Sequence, residues 1–120
     1  MFNDPRQFIQ EKLSKKFLSI NTIRDGVMAA FLVVFEKQAE QKGEVVDTVF
    51  RRDRASEIRL TASAVFAELN APFEYPSFEQ LQQVTEALKK AYGWELVQDQ
   101  FKTEFELLLE SLFEKLNDTA

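Results

Sequence analysis

Four arginines fall within nine residues of this 120-residue chain: Arg51, Arg52, Arg54 and Arg59. A guanidinium is a planar fork of donors matched to carboxylate or phosphate, so such a cluster could hold an anion, the more so beside a helix start. The sequence predicts that start at Ser56. Two ligands suit the chemistry: the acidic surface of a protein partner or second copy, or the phosphates of a nucleic acid. The ordinary alternative is a solvated surface on which these arginines pair with Asp47, Asp53 and Glu57.

An acidic counterpart lies in the last helix. Glu106, Glu110 and Glu114 form one i,i+4 row, where like charges repel by a few tenths of a kcal/mol per pair. The row is opposite Phe101, Phe105, Leu108, Leu109, Leu112 and Leu116, so it should face water and be open to a docked basic surface. Carboxylates can also hold a cation. Glu44-Val45-Val46-Asp47 has the Glu-x-x-Asp spacing of a magnesium-dependent nucleotide hydrolase, but the Glu-x-x-Glu expected with it is missing, because Glu36 and Glu40 are four apart. No metal site and no cofactor is assigned.

Other chemistry is limited by what the chain lacks. With no His and no Cys, thiol nucleophiles, imidazole acid-base catalysis and Cys/His zinc sites are excluded. The glycines at 26, 43 and 93 stand alone and build no phosphate loop. Ser14-Lys15-Lys16 could in principle pair a hydroxyl with an amine, but no supporting group is visible. No catalytic residue is assigned, and the expectation is a protein that is not an enzyme. Among the aromatics, Phe73, Tyr75 and Trp94 sit in or beside the least regular stretches. They are either binding anchors or plugs for an open bundle end.

The elements that must position these groups read as helices throughout. Asp4-Pro5 opens the first, a cap residue followed by the proline suited to the first helical position, and apolar spacing carries it to about Leu18. Asn21 or Thr22 caps a second, from about 22 to 42, closed by Gly43. Its centre, Val27 to Phe35, is apolar on every side and should be buried all round, with Glu36 to Lys42 projecting into solvent. Val45, Val46, Val49 and Phe50 suggest a short third helix, or a strand, before a new helix at Ser56; one continuous bent helix is the alternative. Asn70 to Pro76 is a loop, Ser77 with Gln80 is a capping box, and Gly93 ends the helix that follows. A final helix reaches Leu116, and the tail from 117 to 120 should fray.

The fold class expected is therefore all-α, a single domain over residues 1 to 120 built as a bundle of five to six helices around the apolar second one. The net charge of −5 divides unevenly: 11 Lys and Arg against 9 Asp and Glu in the first half, 4 against 11 in the second. Overall acidity disfavours a dedicated nucleic-acid binder. The nine-residue apolar run is far short of the ~20 residues needed to span a bilayer, and the N-terminal residues lack a signal-peptide pattern. No membrane partner is expected, and the location expected is cytoplasmic. Leu60 and Leu107 lie off the apolar stripes of their helices, which points to association. The sequence thus predicts a non-enzymatic protein–protein interaction module, self-associating or bound to another protein. A nucleic-acid-associated regulator using the Arg51 to Arg59 cluster and a magnesium-dependent nucleotide hydrolase are the alternatives.

Overall fold

In a computed structural model, residues 4 to 119 are described, with side chains described through Lys115. Five α-helices and one 3₁₀ turn order these residues: α1 (Pro5–Leu13), α2 (Ile20–Gln41), α3 (Thr48–Glu68), α4 (Phe78–Ala91), a 3₁₀ turn at Trp94–Leu96, and α5 (Asp99–Thr119). The fold is an all-α bundle, and α2 is its axis. It packs against α1, α3 and α5 along its length and touches α4 more lightly. Every residue from Val27 to Phe35 is buried, as an all-apolar turn sequence requires. No helix among the described residues is long and apolar enough to cross a membrane.

The helix ends follow from capping chemistry. Asp4 accepts the Arg6 amide at 2.9 Å with Pro5 in the first turn. α1 stops at Leu13, several residues before the expected Leu18. The Ser14 hydroxyl donates to the Glu11 carbonyl at 2.6 Å, which competes with a further turn. The cap of α2 is Ser19, which accepts the Thr22 amide at 3.2 Å, in place of the expected Asn21 or Thr22. Leu18 and Ile23 flank this cap at the positions of a hydrophobic staple, and both are buried. At the other end of α2, Gly43 adopts a φ of 75°, and the Glu44 and Gly43 amides bond back to the Ala39 and Glu40 carbonyls.

The third helix differs most from expectation. It is continuous from Thr48 to Glu68, with neither a break nor a cap at Ser56. Its cap is Asp47, which accepts the Phe50 amide at 2.9 Å. The phase slip in the sequence arises because Val45 and Val49 are exposed, while Ala55, Ile58, Ala62, Val65 and Phe66 form the buried face. The capping box of α4 is present with both of its bonds, Ser77 with the Gln80 amide and the Gln80 side chain with the Ser77 amide. The α5 backbone is helical to Thr119, through most of the stretch expected to fray, and Ala120 lies outside the described residues.

Candidate functional site

The four clustered arginines have separate partners. Arg51 donates from Nε to Glu36 at 2.7 Å, Arg52 meets Asp53 at 3.3 Å, and Arg54 meets Glu57 at 2.7 Å. Arg54 also lies 4.5 Å above the Phe35 ring, and Arg59 5.0 Å above the Phe73 ring. Pairing with Asp53 and Glu57 follows the ordinary expectation, but Asp47 serves as a cap. Because α3 starts at Thr48 and not at Ser56, Arg51 and Arg52 lie about one turn from its N-terminus, which the Asp47 carboxylate already caps, and Arg54 and Arg59 lie in the body of the helix.

Glu36 is a correction to the expectation that the end of α2 projects into water. Its side chain is only 3% exposed, with one carboxylate oxygen on Arg51 and the other, Oε2, without a hydrogen-bond partner among the described residues. Burial pushes its pKa above the ordinary carboxylate range; the Arg51 bond and charge pull against this, and Asp4 and Arg6 near the start of α1 add smaller opposed effects. One residue along α3 from Glu36's partner, nothing comparable occurs for Arg52, which is exposed.

Arg24 carries more structure than any residue of the cluster, yet nothing local in its sequence marks it beyond a cation beside a long apolar run. It is 5% exposed and donates to the Phe73 carbonyl at 2.6 Å and to Asp25 at 3.0 Å, with its guanidinium 4.0 Å from the Phe73 ring. Neighbouring Asn21 accepts the Tyr75 amide at 2.7 Å and donates to Glu74. These contacts fasten the 70 to 77 loop onto the start of α2. Of the three aromatics, Phe73 packs on Phe66, and Trp94 packs on Phe31 and Phe105. Tyr75 alone is free, 73% exposed at a φ of 56°.

The acidic row is likewise divided. Glu106 accepts from Lys89 at 2.6 Å, while Glu110 and Glu114 are exposed without an ion pair among the described residues. The Lys89 contact spans a groove between α4 and α5. No Cα of one helix comes within 8 Å of the other. The helices run antiparallel and meet through side chains, among them Lys89–Glu106, Lys89 at 5.6 Å from the Phe105 ring, and Phe78–Phe113, whose rings are 5.3 Å apart. Between them is a half-open groove of ≈ 420 Å³ with Thr85, Leu109 and Phe113 in its wall and Glu86, Glu106 and Glu110 along its edge. Burial lowers the Lys89 pKa, but its bonds to Glu106 and Glu86 outweigh this and raise it, so it is a cation at neutral pH.

No protein-family model, curated protein or solved structure matches this chain. Function therefore rests on geometry. Glu44 is exposed, and the Asp47 carboxylate is engaged as the α3 cap. No three acidic residues gather into a cation-binding group among the described residues. Large apolar side chains do stand in solvent: Leu60 is 73% exposed, Leu107 59%, Val49 53% and Leu96 88%. Leu60 and Leu107 are the two positions that the sequence places off their stripes.

Proposed function

We propose that the chain is a non-enzymatic protein-interaction module that self-associates through the outward face of α3. The observation that carries this reading is the exposure of Leu60 and Val49 on one line of that helix. Val49, Ser56, Leu60, Ser63 and Ala67 recur at spacings of seven, four, three and four, all exposed. Small residues beside the two bulky ones let a second helix approach closely, and apolar side chains left in water mark an association site.

Charge supports a second copy as the occupant. Arg52 and Arg59 flank one side of the line, Asp53 and Glu57 the other. A parallel two-fold pairing of α3 with its symmetry mate sets each basic flank against an acidic one, as e and g positions do in parallel coiled coils. The intrachain partners of Arg51, Arg54 and Arg59 favour this reading over phosphate binding, which needs guanidinium groups directed to one place. Absence of Cys accords with a reducing compartment, and a cytoplasmic location goes with the proposal.

Sedimentation velocity across the micromolar range tests it. The mass should rise with concentration for the unaltered chain, and Leu60→Glu should remain a monomer with an unchanged helical spectrum. A monomer at every concentration, or an association untouched by Leu60→Glu, would refute the α3 interface.

A further inference from the structure

We infer that the groove between α4 and α5 is a docking site for a basic amphipathic helix from a partner protein. The inference rests on the reading of the chain as an interaction module and does not depend on its self-association. α4 and α5 both touch α2, but their Cα atoms stay more than 8 Å from each other, so the two helices meet through side chains alone and leave an open seam beside the central helix. Helices in contact lie about 8–10 Å apart at their axes, and the side-chain bridges at Phe78–Phe113 and Lys89–Glu106 hold this pair open without closing it.

The wall and the edge together specify the occupant. Half-buried Phe113 offers apolar surface above the buried Leu109, and buried Thr85 offers no free donor, since its hydroxyl is bonded to the Leu81 carbonyl at 2.8 Å. Along the edge, Glu86, Glu106 and Glu110 stand against one cation, Lys89, which is held between the first two. An apolar stripe bordered by Lys or Arg complements that pattern. An acidic helix would meet like charge, which costs several kcal/mol at an interface. An extended strand has no sheet edge to pair with, because the groove walls are helices whose backbone groups are already bonded.

A second hollow, of ≈ 430 Å³, shares Glu86 and Lys89 with the first and is lined further by Lys90, Trp94 and Glu95. The two hollows thus adjoin at the Lys89 bridge. The two compartments suit apolar anchors on successive turns of one peptide helix, in the i, i+3, i+4, i+7 pattern of helix-in-groove recognition.

Fluorescence anisotropy with labelled synthetic helices decides the matter. The probe is a Lys/Leu peptide with leucines at i, i+3, i+4 and i+7. One control has the same composition in scrambled order, and a second has Glu in place of every Lys. The full-length chain should bind the probe at least tenfold more tightly than either control. Glu110→Lys and Gln82→Trp, which fills the groove that Gln82 also lines, should each weaken binding tenfold or more, while Glu68→Lys, the same charge change on α3, should not. Equal binding of the scrambled peptide, or equal loss in Glu110→Lys and Glu68→Lys, would show general charge attraction and overturn the groove. Running the assay on the Leu60→Glu monomer separates the two proposals. Peptide binding by an unaltered chain that stays monomeric at every concentration sinks only the α3 interface, and self-association of the unaltered chain with no peptide binding by it or by Leu60→Glu sinks only the groove.

Discussion

At the scale of single residues, Glu36 has the clearest consequence. Its pKa is raised in the folded chain, so the native state binds its proton more tightly than the unfolded one does. By linkage, its contribution to stability falls as pH rises from the ordinary carboxylate value through the raised one, and is recovered as pH falls. Glu36→Gln lacks that dependence. Urea midpoints of the two proteins should therefore shift in favour of the unaltered chain between pH 7 and pH 4.5, where the other carboxylates titrate alike in both. A constant difference across that range would mean that Glu36 is solvated. This pairing was not legible in the sequence: Glu36 and Arg51 are fifteen residues apart, on two helices whose docking no local pattern encodes. The same holds for Arg24, whose partners at Phe73 and Glu74 are nearly fifty residues away. What sequence does encode is the local bond, as between Arg54 and Glu57 on successive turns.

At the scale of elements, helix starts were legible where a side chain caps its own helix and ambiguous where several candidates adjoin. Ser77 with Gln80 and Asp4 with Pro5 admit one reading. Ser19, Asn21 and Thr22 all can cap, and the choice falls to Ser19 because burying Leu18 just before it sets the entry of the chain. Asp47 was hidden by the Val-rich run around it. The α3 boundary has a direct check: Asp47→Ala should cost about 1 kcal/mol of stability, the usual loss for an N-cap, whereas Ser56→Ala should leave stability unchanged or improve it by a few tenths of a kcal/mol. Chemical denaturation at low concentration measures both, and a larger cost at Ser56 would restore the broken helix. Where α2 meets α5, a β-carbon on Gly26 would lie 2.8 Å from Leu112, which is fully buried. Alanine gains about 1 kcal/mol over glycine within a helix, but overpacking costs about 1–3 kcal/mol. Gly26→Ala should thus be destabilising in the unaltered chain and stabilising beside Leu112→Ala. A double-mutant cycle with no coupling between the two would contradict the close approach.

At the scale of the whole molecule, α2 is the element on which the others depend. With four helices and the Trp94 turn packed around it, the stretch from Val27 to Phe35 reaches water only when the bundle opens as a unit. Its amides should exchange with solvent at the rate of global unfolding, whereas those at the start of α1 and along the 44 to 46 connector should exchange far faster. Hydrogen exchange resolved by residue checks this, and early exchange within Val27 to Phe35 would mean that a part of the bundle detaches on its own. The polarity of charge was legible in the sequence, but its use was not. The basic half turns Arg24, Arg51 and Arg54 inward onto Phe73, Glu36 and Phe35, and the acidic half leaves Glu110 and Glu114 in water.

The bend between α2 and α3 has a practical consequence. Gly43, Glu44 and Val45 are exposed, and nothing lies within 4 Å of where a Gly43 side chain would begin. Such an uncovered link is where proteases cut first and where inserted sequence is best tolerated. Limited digestion should nick the chain there, and the two fragments should stay together, because the α2–α3 seam spans several turns. The same site would accept a reporter domain.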